Sequence, residues 1–202
     1  MDHSLLAAIS VFAFVMSVTP GPNNIMLLAS GAQFGYQKTL PHMLGIIIGM
    51  ALLLASVLLG LGLMFERYPQ LYNVLKIVGS LYLFWLAWKI ATASTEENSL
   101  MNSSSNTTPM TITGASLFQF VNPKSWAMSI GSISSFTLAG DQYIESGLWI
   151  MLCFAVMGFI AISLWAYLGV AIRRLLTTKT RKKRFKGVDR LNNEHFRVKN
   201  DF

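Results

Sequence analysis

A proline-rich break interrupts the first long apolar segment of this chain. The mostly apolar run extends from about Ser4 to Ala32, yet its middle reads Thr19-Pro20-Gly21-Pro22-Asn23-Asn24. Proline removes a backbone donor and clashes with the preceding helical turn, and glycine weakens a helix further. In a bilayer each unpaired backbone group is costly unless protein or a water-filled cavity satisfies it. We therefore expect this break to line a cavity.

A second break, Asn122-Pro123-Lys124, lies inside another apolar run from about Ile112 to Ala139. An ammonium near the bilayer centre costs about 2.5–3.5 kcal/mol and is tolerated where it faces protein or water. The alternative is that Lys124 snorkels to the surface, but a helix starting near Asn122 leaves too few residues before Asp141 for a span. Two broken helices in one small membrane protein predict a substrate site near the bilayer midplane.

The composition is that of an integral membrane protein. Of its 202 residues 53% are hydrophobic and 12% are charged, whereas soluble domains carry about 25% charged residues. We predict an all-α polytopic fold with five transmembrane helices, the first and fourth broken at mid-membrane. A transmembrane domain at 1–172 would contain spans at about 5–33, 43–65, 71–91, 113–138 and 147–172, with a polar linker at 92–112.

The positive charge is concentrated in the tail at 173–202, which has 11 Lys and Arg against 3 Asp and Glu. Such a tail beside a membrane span predicts a cytoplasmic end attracted to anionic lipid. Alternation over five spans then puts the 92–112 linker inside and the N-terminus outside. No recognition motif accompanies the basic tail, so we expect no nucleic-acid partner. The expected partners are the lipid bilayer and a small substrate, and a homo-oligomer is left open.

Each break creates the start of a new helix inside the membrane. Pro22 suits the first position of a helix, which would leave the amides of Asn23, Asn24 and Ile25 without acceptors and ready for a carboxylate. The Asn side chains add neutral donors and acceptors that suit a zwitterion. The plainer alternative is a proline kink healed by neighbouring helices. The residues predicted to bind substrate are Pro20, Gly21, Pro22, Asn23, Asn24, Asn122, Pro123 and Lys124.

Other features exclude functions. No Asp or Glu lies inside any apolar segment, and Cys153 is the only cysteine. We therefore expect no catalytic residues, no metal site and no cofactor, because intramembrane catalysis needs a nucleophile with a base or metal ligands. His42, at the mouth of the second span, titrates in a range that suits proton coupling, but the ordinary expectation is an interfacial histidine.

Small residues recur at four-residue spacing in the first two spans. Gly31 with Gly35 and Gly45 with Gly49 form two such pairs. In membrane helices this spacing lets two backbones approach closely. We expect both pairs to serve packing.

The chain resembles the LysE/RhtB family of bacterial amino-acid exporters from about Leu5 to Phe185. The motifs that carry the resemblance are Thr19-Pro20-Gly21-Pro22-Asn23, Leu44-Gly45 with Gly49, Leu75-Lys76-Ile77-Val78-Gly79, Tyr82-Leu83, Trp88-Lys89 and Asn122-Pro123-Lys124-Ser125-Trp126. The resemblance implies a secondary transporter that exports amino acids or derivatives across the bacterial inner membrane, driven by the proton gradient. It also implies six helices in two inverted three-helix repeats, and the homoserine, threonine and neutral subgroup looks closer than the basic exporters.

The chain departs from the family pattern at its end. A sixth apolar helix would follow the basic loop at Arg181–Arg184, but residues 187–202 are too polar to span a bilayer. One hypothesis is that the reading frame changed near Lys186. The alternative functions are then a truncated, non-transporting membrane remnant, or a passive channel or subunit.

Overall fold

A computed structural model describes residues 2–61 and 108–198, with side chains of the second range up to residue 175, and scattered residues between 64 and 88. No strand occurs among these residues, which confirms the all-α fold class. We number the helices of the two described ranges in chain order. They are α1 (His3–Val18), α2 (Pro22–Phe34), α3 (Tyr36–Ser56), α4 (Ile112–Val121), α5 (Pro123–Phe136) and α6 (Tyr143–Val198).

The first predicted break is confirmed. Helices α1 and α2 are bent by 62° relative to each other. A residue that precedes proline is pushed out of the helical region, and both prolines of the motif act in this way. Thr19, before Pro20, has a ψ of 135°, and Gly21, before Pro22, is fully extended at φ −169° and ψ 177°.

The second predicted break is confirmed by the same mechanism. Asn122 precedes Pro123 and adopts φ −90° and ψ 110°, which separates α4 from α5. Pro123 then occupies the first turn of α5, where its missing N–H removes no helical bond. The fourth predicted span thus consists of two short helices around one extended residue.

The described helices begin and end at residues that differ in part from the predicted span boundaries. Two described helical segments are long and apolar enough to cross a membrane, Tyr36–Leu61 and Gly140–Leu175, and the bent α1–α2 pair makes a third. The second span was expected at 43–65, but α3 begins at Tyr36 because Gly35, at φ +85°, joins it directly to α2. The third span, 71–91, lies largely outside the described residues, so the count of five stays a prediction.

The last helix is longer than its predicted apolar span. Helix α6 continues from Tyr143 to Val198, through the basic segment that starts at Arg173. The segment expected as a polar tail is therefore helical over most of its length. Its cytoplasmic location and the hypothesis about Lys186 stay predictions.

Two buried apolar clusters organise the packing. One draws its residues from α1, α3, α5 and α6, and the other from α2, α3, α4 and α6. Helix α1, before the first break, therefore shares a cluster with α5, after the second break. Helices α2 and α4 share the other cluster. The longer α3 and α6 contact both clusters.

Glycines allow two of the helix crossings. A Cβ on Gly45 would lie 2.4 Å from the carbonyl oxygen of Ile112, and one on Gly49 would lie 2.5 Å from that of Ser116, so α3 and α4 touch backbone to backbone. Ser116 also donates to the Gly45 carbonyl at 2.9 Å. Gly31 packs in the same way on Ala166 of α6.

The expectation that Gly35 serves helix packing together with Gly31 is wrong. A Cβ on Gly35 would meet nothing within 4 Å, and its positive φ makes it the turn between α2 and α3. A glycine is required there for the backbone conformation and not for helix packing.

A glycine-to-alanine pair tests the α3–α4 contact. Gly49→Ala forces a Cβ against the Ser116 backbone, so we expect a loss of about 1–3 kcal/mol of stability, or a lower Tm by several degrees. Gly131→Ala in α5 is the matched control, because its Cβ would meet only the Phe12 ring at 4.0 Å. The control should be neutral or slightly stabilising, since alanine is the better helix former. Thermal unfolding of the detergent-purified protein measures both, and an equal Tm for the two variants would contradict the close crossing.

Large apolar side chains also cover the outside of the bundle. They recur every three or four residues along the outer face of α6, and the exposed examples include Leu148, Leu152, Val156, Ile160, Leu164 and Leu168. A continuous apolar stripe of this length is not stable against water and is suited to contact with lipid acyl chains. The outer surface is that of a multi-pass membrane protein.

Candidate functional site

A cavity lies where the two broken helices meet. It contains about 450 Å³ of space between atoms, part of which is open to the outside. Its walls come from α1, α2, α3, α6 and the α4–α5 break. The polar lining residues are Ser17, Asn23, Asn24, Gln119, Asn122, Lys124 and Ser125, together with the backbone of Gly21.

The carbonyl end of α1 is satisfied by side chains. The amide of Asn24 donates to the carbonyls of Ser17 at 3.0 Å and Thr19 at 2.8 Å. The indole of Trp165 on α6 donates to the Val18 carbonyl at 3.0 Å. These bonds replace those that the interrupted helix lacks, so the break is held open by specific partners. Asn24 is 3% exposed, which identifies it as a structural element of the break as well as a wall of the cavity.

Lys124 turns inward to the first break. Its Nζ donates to the Thr19 carbonyl, across 105 positions of sequence. The aliphatic part of the side chain lies over Gly21, where an added Cβ would approach the Lys124 Cδ at 2.7 Å. The side chain is half-buried and lines the cavity. This orientation favours the substrate-site interpretation of Lys124 over snorkelling, and its role stays a prediction.

The start of α2 carries unpaired donors. Gly21 provides no side-chain cap, and the backbone amides of Asn23 and Asn24 hydrogen-bond to no residue that the structure describes. The expectation for Ile25 is wrong, because its amide donates to the Gly21 carbonyl at 3.1 Å. Two amides at a helix N-terminus are thus available to an anion in the cavity wall.

The start of α5 has no such unpaired amides. The side-chain oxygen of Asn122 accepts from the Lys124 amide at 3.1 Å, and the Asn122 carbonyl accepts from the amides of Ser125 at 3.1 Å and Trp126 at 3.3 Å. Asn122 therefore caps its own helix and leaves no free amide there. The second break contributes the Lys124 ammonium and not a helix terminus.

A polar network joins the two breaks across the cavity. Asn23 and Gln119 form a reciprocal amide pair, with Nδ2 to Oε1 at 2.9 Å and Nε2 to Oδ1 at 3.3 Å. Ser125 donates to the same Gln119 oxygen at 2.8 Å. Gln119 is completely buried, so its amide is fixed by these bonds and by its own bond to Ala115.

The remaining lining residues are apolar. They are Ile46, Ile47, Met50, Met128, Phe154 and Ile162, with Gly158 leaving space between them. The described lining includes no Asp or Glu. The cavity can therefore offer one positive charge and several neutral donors, together with an apolar surface for an uncharged side chain.

The structure separates the predicted site residues into two groups. Gly21, Asn23, Asn24, Asn122 and Lys124 line the cavity, whereas Pro20, Pro22 and Pro123 shape the two breaks without lining it. Sequence reasoning missed Gln119 and Ser125. The available signal for Gln119 was a single amide between two phenylalanines, one turn before Asn122.

His42 is the other residue that departs from expectation. It is only 1% exposed, and neither ring nitrogen has a hydrogen-bond partner among the described residues. An interfacial histidine would be solvated, so that prediction is wrong. The early start of α3 puts His42 on its second turn, inside the bundle.

Comparison with known proteins agrees with this architecture. The model of the LysE type translocator family matches residues 14–191. The cysteine/O-acetylserine efflux protein of Escherichia coli O1:K1 / APEC is 30% identical over 178 residues, which cover 87% of each chain. The protein of the same name from Escherichia coli strain K12 is 29% identical over the same share. No solved structure gives a significant match.

The family match includes both breaks, the cavity and most of α6, and it extends beyond Lys186. The relatives are named efflux proteins, and the match covers 87% of their length. The chain therefore belongs to the LysE type translocator family and is a multi-pass membrane transport protein, not an enzyme.

Proposed function

We propose that this protein exports small neutral amino acids or their derivatives across the bacterial inner membrane, in exchange for protons. The observation that carries the proposal is the convergence of Lys124 with the free amides of Asn23 and Asn24 on one cavity. A carboxylate fits this combination, because a cation and a helix N-terminus both stabilise an anion. The names of the relatives point to cysteine and O-acetylserine, which are substrates of this kind.

The rest of the lining favours a zwitterion with an uncharged side chain. The substrate ammonium would use neutral acceptors such as the side-chain oxygens of Asn23 and Ser17. A basic side chain would have no carboxylate partner in the lining and would lie against Met50 or Phe154. Burial of an unpaired charge is costly, so lysine and arginine should be poor substrates.

An export assay tests the proposal directly. Bacterial cells lacking their own exporters and producing this chain are loaded with dipeptides, and the release of cysteine, threonine, homoserine and lysine is measured. We expect faster release of the neutral amino acids than in cells without the chain, and no faster release of lysine. Efflux that survives a protonophore would instead favour a passive channel. An absence of efflux, restored by adding an apolar sixth helix, would favour the truncated remnant.

A further inference from the structure

We propose that His42 is the proton-binding group that couples substrate export to the proton gradient. The inference rests on the proposed proton exchange and names the residue that performs it. In the packed conformation the imidazole is neutral. It binds a proton from the external side at one of its ring nitrogens when the bundle rearranges to admit water, and it releases that proton towards the cytoplasm.

The first argument is the environment of the imidazole. His42 is 1% exposed, and neither Nδ1 nor Nε2 finds a partner among the described residues. A buried polar atom without a hydrogen bond costs free energy, and native proteins seldom retain one without a functional reason. Two such atoms on one side chain, deep in a bundle core, suggest that their partner is gained in a different conformation.

The second argument is the position of His42 relative to the cavity. Ile46 follows one helical turn later on the same face of α3 and lines the cavity. Side chains at this spacing are neighbours on a helix surface. On the other side, one turn earlier, Thr39 is buried and hydrogen-bonded to Ser30 at 2.9 Å. His42 thus lies between the substrate cavity and a second polar pair along the same helix.

The third argument is the shortage of alternatives. Helices α2 and α4, which pack on α3, carry no ionisable side chain, and α5 carries Lys124. The ionisable side chains near the start of α3 are Tyr36 and Lys38, and those described on α6 are Tyr143, Glu145, Cys153, Tyr167, Arg173 and Arg174. None of them bonds to the imidazole. Of these groups histidine is the one that ordinarily exchanges protons near neutral pH.

The coupling has a simple physical basis. A protonated imidazole has two N–H donors and a positive charge, which the packed core does not satisfy. Protonation therefore favours the conformation that exposes the ring to water, and deprotonation favours the packed one. Because the same α3 face borders the cavity through Ile46, the proton and the substrate act on one conformational equilibrium.

The test uses the full chain reconstituted into proteoliposomes, with radiolabelled, reduced cysteine as the probe. Two modes are compared: counterflow at equal pH, which needs no net proton movement, and uptake driven by an acid interior. For one proton exchanged per substrate, the gradient should raise accumulation about tenfold per pH unit in the unmodified protein. His42→Gln should keep counterflow within about twofold and lose the effect of the gradient. His3→Gln, at an exposed terminal position, should behave like the unmodified protein.

The outcomes separate the two proposals. Gradient-driven uptake by His42→Gln at the unmodified level overturns the role of His42, and so does loss of both transport modes in a correctly folded variant. An unmodified protein that catalyses counterflow without any gradient effect overturns proton exchange itself, while export stands. An unmodified protein without counterflow overturns export.

A second measurement covers a His42 variant that fails to fold. The chain has three histidines, so histidine-labelled protein gives three imidazole signals in NMR spectra. Substitution of His3 and His195 assigns the third signal. Cysteine addition should change the protonation of the His42 ring and leave the other two unaffected. No change at His42 across the pH range of transport overturns the proposal.

Discussion

Replacement of Lys124 by alanine should raise the apparent KM for export about 10–100-fold. A hydrogen bond to a charged group contributes about 1.5–3 kcal/mol, and each 1.4 kcal/mol is a factor of ten in affinity. Membrane insertion should be unaffected or improved, because an ammonium at depth costs about 2.5–3.5 kcal/mol. Initial export rates at several internal substrate concentrations give the apparent KM. The amount of the variant in the membrane measures its insertion.

Two further variants separate the charge from the position of this side chain. Lys124→Gln keeps a donor for the Thr19 carbonyl but removes the charge, so it should be nearly as impaired as alanine. Gly21→Ala keeps the lysine but displaces it, because the new Cβ would approach its Cδ at 2.7 Å. The extended backbone of Gly21 accommodates alanine without strain, so any loss of transport reports the displacement of Lys124.

Lys38→Ala is the matched control, since this lysine is exposed near the start of α3 and lies outside the cavity lining. Its export should equal that of the unmodified chain. Export by Lys124→Ala with an unchanged KM would show that the carboxylate is bound elsewhere and would remove the main support for the proposed substrate site.

The two breaks could be predicted from sequence because proline acts locally. Its ring disfavours the helical conformation at the residue before it, although Leu40, before Pro41, stays helical within α3. Thr19, Gly21 and Asn122 all precede a proline, and all three are extended. The expectation that Lys124 faces protein or water rests on a similarly general cost, that of placing an ammonium in lipid, and its bond to the Thr19 carbonyl agrees with that expectation.

The partners across the breaks could not be predicted in the same way. Gln119 pairs with Asn23 over 96 positions, and this contact depends on how α2 and α4 meet. The capping of α5 by Asn122 was missed for a different reason. Open amides are predicted from sequence only after Pro22, although Asn122 lies directly before Pro123 and asparagine is among the strongest N-cap residues.

His42 shows how the start of a helix changes a functional interpretation. An expected start of the span at residue 43 puts His42 at the membrane surface. The single-residue turn at Gly35 starts α3 at Tyr36 and moves His42 into the bundle. The sequence contained the signal, a glycine followed by a helical pattern, but the positive φ of Gly35 is a tertiary outcome.

The prolines of the first break should be needed for export even though they do not line the cavity. A proline inside a helix costs about 3 kcal/mol, and this cost disfavours a continuous helix through residues 18–23. The double variant Pro20→Ala and Pro22→Ala removes this cost at two positions. Each substitution should raise the population of a continuous α1–α2 helix, relative to the bent form, by about 100-fold. A straight helix has lost the 62° bend that brings Asn23, Asn24 and the Thr19 carbonyl to Lys124. We expect Pro22→Ala to reduce export and the double variant to abolish it.

The control for this prediction is Pro41→Ala, because Pro41 lies inside α3 on an exposed face and interrupts no helix. Its export should be normal. Spin labels at the exposed positions Val11 and Ile25 measure the bend directly. Straightening should lengthen their separation in the double variant and leave it unchanged in the control. If the double variant exports normally with an unchanged separation, then Asn24, Trp165 and the packing of α2 on α6 hold the break without proline. In that case the Pro20 and Pro22 motif would serve folding of the helix pair and would not be required for transport.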